Sequence, residues 1–318
     1  MRVVVTGGAG FLGSHLCEAL VARGDRVACV DNFASGRAEN LLGLRDAGRG
    51  FSLIRADAVA GLDVDGPVDA VVHLASLASP PEYLRWPLET LLAGSRGTEA
   101  ALELAGRHGA RFVLASTSEV YGDPLVHPQR EDYWGNVNPV GPRSVYDEAK
   151  RFAEALTMAH VRTRSLDGGI VRIFNTYGPR LRPADGRVVS TFVVQALAGE
   201  PLTLYGDGNQ TRSFCYVDDL VAGLVAMVDA TGVAGPVNLG NPAERSVREL
   251  AALVLALTGS SSPLSYLPLP VDDPVRRRPD IAQAALLLGW APSVPLEEGL
   301  SRTVRWFRAR GPGHDAPP

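Results

Sequence analysis

The sequence has few cysteines, no long apolar run and little excess charge. Its three cysteines, Cys17, Cys29 and Cys215, are far apart and lack metal-ligand spacing, which disfavours a disulfide framework and a metal site. No apolar run approaches the roughly 20 residues that a membrane span needs. The formal net charge of -4 gives no argument for binding nucleic acid or a membrane. We therefore expect a soluble, cytoplasmic protein that acts on a small molecule.

What the sequence does contain, in its first half, is an alternation of short β-branched runs and helical segments. Continuous apolar strands separated by helices are typical of a parallel sheet that is covered on both faces. After residue 176 proline and glycine become more frequent, and the alternation is less regular. The predicted strands are 3–6, 26–30, 52–55, 70–74, 111–115, 169–173 and 237–239, and the predicted helices are 11–23, 98–108, 145–161, 188–198 and 218–229.

These elements predict an α/β fold, a Rossmann-type doubly wound parallel sheet with a smaller mixed C-terminal lobe. We expect a dinucleotide-binding domain over residues 1–175, with a later contribution from about 214–240. Residues 176–310 would form the lobe that binds the substrate, and the tail 311–318 is predicted to be disordered.

A glycine turn at the N-terminus points to a dinucleotide cofactor. Gly7, Gly10 and Gly13 lie between the first predicted strand and the first predicted helix. In that context glycines allow the backbone to approach a pyrophosphate, and the helix N-terminus stabilises its charge. Asp31 ends the second strand, where a carboxylate can bind the ribose diol and would repel a 2′-phosphate. NAD is therefore preferred to NADP, although Arg37 nearby argues mildly the other way.

A proton-transfer group is predicted in the middle of the chain. Tyr146 and Lys150 are four residues apart in a predicted helix and so share one face. Thr117 follows the strand at 111–115, at the sheet edge where α/β proteins bind ligands. A tyrosine beside a lysine ammonium and an oxidised nicotinamide can lose its proton and act as a base toward a hydroxyl group.

Several longer motifs carry a resemblance that covers about residues 1–308. The chain resembles the extended short-chain dehydrogenase/reductase superfamily, and within it the UDP-glucuronate decarboxylases, or UDP-xylose synthases. The segments around Glu119, the tyrosine-tryptophan-glycine loop and the arginine run before Pro279 are the more specific ones. The motifs are Asp31-Asn-Phe, His73-Leu-Ala-Ser-Leu-Ala-Ser-Pro-Pro81, Ala115-Ser-Thr-Ser-Glu-Val-Tyr-Gly-Asp-Pro124, Glu131-Asp-Tyr-Trp-Gly135, Asn138-Pro, Gly141-Pro-Arg143, Tyr146-Asp-Glu-Ala-Lys-Arg151, Arg172-Ile-Phe-Asn-Thr-Tyr-Gly-Pro-Arg180, Asp185-Gly-Arg-Val-Val189, Gln210-Thr-Arg212 and Asp272-Asp-Pro-Val-Arg-Arg-Arg-Pro279.

The resemblance implies NAD-dependent decarboxylation of UDP-glucuronate to UDP-xylose through a UDP-4-keto intermediate, with release of some UDP-4-keto-pentose as a further outcome. It implies a homodimer paired through the helices at about 91–108 and 145–161. Tyr146, Lys150, Thr117, Glu119 and Arg277 are the expected catalytic residues. The expected cofactor contacts are Gly7, Gly10, Phe11, Leu12, Gly13, Asp31, Asn32, Asp57, Leu74, Ala75, Tyr146 and Lys150, and the expected substrate contacts are Pro81, Asn175, Arg182, Val188, Tyr205, Arg212 and Arg277.

Three positions depart from the decarboxylase pattern: Leu77, Gly94 and Arg182. Arg182 stands where decarboxylases more often have histidine or another polar residue, at a position comparable with a carboxylate-binding arginine of UDP-glucuronate 4-epimerases. An arginine that fixes the carboxylate would suppress CO2 loss, so epimerisation to UDP-galacturonate is the alternative. A 4,6-dehydratase is disfavoured because Ser118 follows Thr117, and a non-catalytic NAD-binding regulator is disfavoured by the intact tyrosine-lysine pair.

Overall fold

A computed structural model describes residues 1–44, 48–269, 274 and 276–310 of the chain. Its centre is a seven-stranded parallel sheet, in the strand order that is typical of the Rossmann fold with one strand added at the edge. Read across the sheet, the strands are β3 (Phe51–Arg55), β2 (Arg26–Asp31), β1 (Arg2–Thr6), β4 (Ala70–His73), β5 (Arg111–Thr117), β6 (Gly168–Ile173) and β11 (Val237–Leu239). The predicted fold class is confirmed.

Alternation along β1 distributes its side chains to two hydrophobic cores, one on each face of the sheet. Val3 and Val5 belong to one core, and Val4, which points the opposite way, belongs to the other. Helices α1 (Phe11–Ala22) and α7 (Val217–Asp229) pack together on the first face. Helices α4 (Thr98–His108) and α5 (Ser144–Arg164) pack together on the second.

The chain after β6 forms smaller sheets and further helices. Residues 176–177 (β7) pair with 215–216 (β10), and two other small sheets are formed by later strands. Those strands are β8 (Leu202–Tyr205) with β13 (Leu264–Leu267), and β9 (Thr211–Ser213) between β12 (Glu244–Ser246) and β14 (Arg276–Arg277). The remaining helices are α2 (Pro80–Arg85), α3 (Pro87–Leu92), α6 (Val188–Ala198), α8 (Val247–Thr258), α9 (Ala282–Leu288) and α10 (Leu296–Arg310).

The segment predicted as one helix over about 91–108 is two helices joined by a wide π-type turn over residues 93–97. At Gly94 a Cβ atom would lie 2.6 Å from the Ala149 Cβ on α5. The missing side chain therefore allows this turn to pack directly against the helix that carries Tyr146.

Two further predictions concern the C-terminal tail and the absence of a membrane-spanning helix. The tail 311–318 and residues 270–273 and 275, in and before the arginine-rich stretch, lie outside the described residues. Within the described part of the chain, no helix is long and apolar enough to cross a membrane.

Candidate active site

A cavity of about 640 Å³ opens along the carboxyl ends of β1, β2, β4, β5 and β6. The glycine turn lines one part of it, and Tyr146 and Lys150 line another. Residues 180–187, which follow the central sheet in the chain, form the opposite wall. The topology therefore brings the two widely separated sequence motifs into one cleft, as the parallel sheet requires.

The glycine turn leaves no room for side chains. Gly7 has a φ of +71°, and a Cβ atom there would lie 2.8 Å from the Ala75 nitrogen. At Gly13 a Cβ atom would lie 2.7 Å from the Gly8 Cα and closer still to the Gly7 carbonyl oxygen. This tight strand-to-helix turn at the start of α1 fits the backbone cradle that a dinucleotide pyrophosphate needs.

Two carboxylates lie on the same side of the cavity as the glycine turn. Asp31 accepts hydrogen bonds from the backbone N–H groups of Ala9 and Phe33, at 2.9 and 2.8 Å. Burial nevertheless raises the pKa of Asp31 above its ordinary value, against the effect of these two donors. Asp57 accepts a hydrogen bond from the Val59 N–H at 2.9 Å and caps a short 3₁₀ turn. Both carboxylates line the cavity and fit the ribose and adenine end of the cofactor.

The predicted trio of Thr117, Tyr146 and Lys150 is assembled at the carboxyl end of β5. The Tyr146 hydroxyl is hydrogen-bonded to Thr117, and the Lys150 ammonium donates to the Ala115 carbonyl oxygen at 2.9 Å. The Lys150 nitrogen lies 5.9 Å from the centroid of the Tyr146 ring. The ring of Tyr83 stacks on the ring of Tyr146, with 5.3 Å between the two ring centroids and an interplanar angle of 5°.

The acid-base properties of this trio are set mainly by its burial. Burial raises the pKa of Tyr146 to about 12, and the hydrogen bond from Thr117 lowers it only in part. Burial also lowers the pKa of Lys150 to about 8, which the nearby Glu154 opposes. With the protein groups alone Tyr146 therefore holds its proton at neutral pH, which is compatible with the expected contribution of an oxidised nicotinamide.

Glu119 lies between two arginines. Arg277 donates to both of its carboxylate oxygens, at 2.5 and 3.0 Å, and Arg143 donates to Oε2 at 2.8 Å. Burial acts to raise the pKa of Glu119, but the charges of Arg277 and Arg143 outweigh it and lower the pKa to about 2. Glu119 is thus a carboxylate at neutral pH, and it accepts hydrogen bonds rather than donating a proton.

A buried carboxyl group beside this cluster was not found from the sequence. Asp147 follows Tyr146 on α5, and its Oδ1 atom has no hydrogen-bond partner among the residues the structure describes. Burial and then the charge of Glu119 raise the pKa of Asp147 to about 7, although Arg143 and Arg277 act in the opposite direction. Arg143 belongs to the Gly141-Pro-Arg143 motif, which was given no separate role from the sequence, and it directly precedes α5.

The wall opposite the sheet carries arginines that are matched by carboxylates. Arg182 forms an ion pair with Glu82. Arg187, which belongs to the Asp185-Gly-Arg-Val-Val189 motif but was given no role from the sequence, lies 3.4 Å from Asp185 and donates to the Ala78 carbonyl oxygen at 3.2 Å. Its charge also acts to lower the pKa of Tyr146, so the wall and the tyrosine are close in space.

Only some of the predicted substrate residues line the cavity. Asn175 and Arg182 line the cavity, whereas Arg277 reaches it through Glu119. Arg212 pairs in register with Arg277 on neighbouring strands, which places these two guanidinium-bearing residues side by side. The others lie outside the cavity lining: Pro81 near Gly186, Val188 at the start of α6, and Tyr205, which is 44% exposed, at the end of β8.

Comparison with known proteins agrees with this geometry. Residues 3–240 match the family described as the NAD dependent epimerase/dehydratase family.

The chain belongs to that family.

Curated relatives include UDP-glucuronic acid decarboxylase 1 of Xenopus tropicalis, which is 53% identical over 310 residues. That match covers 96% of this chain and 72% of the relative. UDP-glucuronic acid decarboxylase 1 of Arabidopsis thaliana is also 53% identical, over 98% of this chain and 70% of the relative. The resemblance to UDP-glucuronate decarboxylases is therefore confirmed, and so is NAD as the cofactor of the family.

Among solved structures, a UDP-glucuronic acid 4-epimerase from Bacillus cereus in complex with UDP-glucuronic acid and NAD has a TM-score of 0.87. It is 28% identical, and the match covers 98% of this chain and 100% of that one. A UDP-glucose 4-epimerase from Thermotoga maritima with UDP-glucose also has a TM-score of 0.87, at 30% identity over 98% of this chain and 99% of that one. Epimerases thus share the fold at lower identity than the decarboxylases.

Proposed function

We propose that this chain is an NAD-dependent UDP-glucuronate decarboxylase that produces UDP-xylose. The observation that carries the proposal is the meeting, in one cavity, of the Thr117, Tyr146 and Lys150 trio with the carboxylate of Glu119. About 53% identity to named UDP-glucuronic acid decarboxylases over nearly the whole chain supports the same assignment.

The cofactor is held along the glycine turn, with its adenosine end near Asp31 and Asp57. Phe11, Leu12, Asn32, Leu74 and Ala75 line the same part of the cavity. When bound, NAD+ supplies a hydride acceptor for the sugar C4 and later returns that hydride. Its positive charge also completes the environment in which Tyr146 can ionise, which the chain's own groups do not achieve.

Tyr146 takes the proton of the sugar 4-hydroxyl, and Thr117 holds the oxygen in place. Lys150 remains largely protonated at neutral pH, because its pKa is about 8, and so contributes positive charge. The resulting ketone at C4 makes the sugar a β-keto acid. Its C5–C6 bond then breaks, CO2 leaves with carbon 6, and the electron pair moves onto the C4 oxygen before C5 is protonated.

Glu119 and Arg277 orient the sugar ring during these steps. An ionised Glu119 accepts hydrogen bonds from ring hydroxyls or from a water molecule, which holds the ring so that the C5–C6 bond aligns with the carbonyl. We therefore assign Glu119 the role of an acceptor and not that of the acid that protonates C5. Arg277 fixes both oxygens of Glu119 in this position.

The nucleotide end of the substrate and the assembly of the protein are further parts of the proposal. Arg212 neutralises the diphosphate, Tyr205 stacks on the uracil, and Asn175, Val188 and Pro81 contact the substrate, within a lobe formed by residues 176–310. Residues 1–175, with 214–240, form the NAD-binding unit.

The chains pair as homodimers through the helical segments at about 91–108 and 145–161, and the protein is cytoplasmic. In support of pairing, Leu91 is 38% exposed and Phe152 on α5 is 51% exposed. Light scattering at twice the mass of one chain is the expected result.

The test is to incubate the purified protein with UDP-glucuronate and NAD+ and to follow the sugar by proton NMR. We expect UDP-xylose, and Tyr146→Phe should lower the turnover by about 10²–10⁴-fold because the base is lost. Tyr133→Phe, which removes a hydroxyl that accepts the Leu125 N–H outside the cavity lining, is the matched control. UDP-galacturonate as the product would overturn the decarboxylase assignment, and an active Tyr146→Phe enzyme would overturn Tyr146 as the base.

A further inference from the structure

Glu82 and Arg182 form an ion pair, and both residues line the cavity. Glu82 lies on α2, whereas Arg182 belongs to the segment that follows the central sheet in the chain. Their side chains are 17% and 25% exposed, so the pair is largely withdrawn from solvent. An ion pair at this degree of burial holds its partners more firmly than one on an open surface.

Other contacts fix the position of this pair. The Ser79 hydroxyl donates to the Glu82 Oε2 at 3.0 Å. A Cβ atom at Gly186 would lie 2.6 Å from the Pro81 Cγ, and Arg187 donates to the Ala78 carbonyl oxygen, so residues 186–187 contact the segment that leads into Glu82. The next residue, Tyr83, stacks on Tyr146. Glu82 is therefore the immediate sequence neighbour of the residue that packs against the ring of Tyr146, the proposed base.

The chemistry of the substrate gives this ion pair a consequence. A guanidinium that is available to a carboxylate forms charge-assisted, often bidentate hydrogen bonds with it. Such bonds would stabilise the carboxylate of UDP-glucuronate as a charged group and fix its plane. Loss of CO2 requires the opposite, because negative charge must leave the carboxylate and the C5–C6 bond must align with the C4 carbonyl.

We propose that Glu82 determines the fate of the 4-keto sugar by occupying Arg182. This inference rests on the proposed function, since it concerns the same substrate at the same site. Glu82 is a positioning residue: it acts through Arg182 and does not touch the reacting atoms. With Glu82 in place the substrate carboxylate has no guanidinium partner at this position, and decarboxylation proceeds.

The test compares the wild-type enzyme with Glu82→Gln and with the double variant Glu82→Gln/Arg182→Gln. Two quantities are measured: the product distribution from UDP-glucuronate, and the affinities for UDP-glucuronate and for UDP-glucose, which lacks the carboxylate. Glu82→Gln should raise the ratio of these affinities, in favour of UDP-glucuronate, by about 10-fold or more because Arg182 becomes available. It should also slow CO2 release and yield UDP-galacturonate.

The double variant separates this role from a purely structural one. Removal of the freed guanidinium should return the affinity ratio to within about 3-fold of the wild-type value and restore CO2 release. Glu148→Gln, which removes a carboxylate from a surface pair with Arg151 at 3.6 Å, controls for the change in net charge. An unchanged affinity ratio in Glu82→Gln, or a double variant that is as impaired as the single one, would show that the pair has a purely structural role.

The proposed function and this inference fail in different ways. A wild-type enzyme that releases no CO2 from UDP-glucuronate refutes the proposed function, and the inference falls with it. A wild-type enzyme that releases CO2, together with a Glu82→Gln variant that keeps the wild-type affinity ratio, refutes the inference alone.

Discussion

Replacement of Glu119 by glutamine removes the single carboxylate that two guanidinium groups share. The side chains of Arg277 and Arg143 are 5% and 13% exposed, so both charges would be left largely buried. The pKa of Glu119 is lowered from 4.5 to about 2, and the difference of about 2.5 corresponds to roughly 3 kcal/mol in favour of the folded protein. We expect Glu119→Gln to lower the free energy of unfolding at pH 7 by about 3–5 kcal/mol.

The assay is urea unfolding of the two proteins at pH 7 and at pH 4. Because the folded-state pKa is depressed, the contribution of Glu119 is complete above about pH 4.5 and is lost as the pH falls through about 2. The stability gap between wild type and Glu119→Gln should therefore narrow by about 1 kcal/mol at pH 4.

Glu148→Gln is the control, because its pair with Arg151 is exposed on both sides and should matter by less than about 1 kcal/mol. A loss in Glu119→Gln no larger than that of this control, or a gap that widens at pH 4, would refute the electrostatic argument.

Two other substitutions test the neighbouring features. Gly13→Ala should weaken NAD+ binding and lower the free energy of unfolding by about 1–3 kcal/mol, because the new Cβ would lie 2.7 Å from the Gly8 Cα. Gly106→Ala places its Cβ in open space and should raise the free energy of unfolding by about 0.5–1 kcal/mol. NAD+ titration and urea unfolding of both variants check these expectations. Asp147→Asn should be more stable than wild type at pH 8, by up to about 4 kcal/mol, and the difference should shrink at pH 5. The reason is that the pKa of Asp147 is raised from 3.8 to about 7 in the folded protein. Its protonated form therefore contributes stability below pH 3.8, and this contribution is lost as the pH rises through 7. Equal stability of the two proteins at pH 8 would contradict the inference that the buried, ionised carboxylate of Asp147 destabilises the folded protein.

The sequence predicted the central sheet well because its strands are buried on both faces. Continuous apolar runs such as the one over 111–115 identify parallel strands, and the structure extends that strand only to Thr117. The small sheets were not predicted. Their strands are only two to four residues long, which is too short to establish a period. Some, such as Thr211–Ser213 and Glu244–Ser246, are also polar and so resemble loops.

In the site, too, the sequence reveals features built from neighbouring residues but not contacts between residues that are far apart in the chain. The glycine turn and the helix with Tyr146 and Lys150 are local patterns that sequence spacing reveals. The partners of Arg182 and Glu119 are not, because Glu82 is 100 residues from Arg182, and Arg277 is 158 residues from Glu119. Sequence spacing also does not reveal the acid-base properties of the site, because burial raises the pKa of Tyr146 in spite of the nearby Lys150.

The most direct test of the proposed decarboxylation uses UDP-glucuronate labelled with ¹³C at carbon 6. Carbon-13 NMR follows the label while the sugar nucleotides are quantified in the same sample. The cavity geometry and the assignment of Tyr146 and Glu119 predict one labelled CO2 for each UDP-xylose formed. UDP-galacturonate that retains the label at carbon 6, with no labelled CO2, would contradict the proposed function.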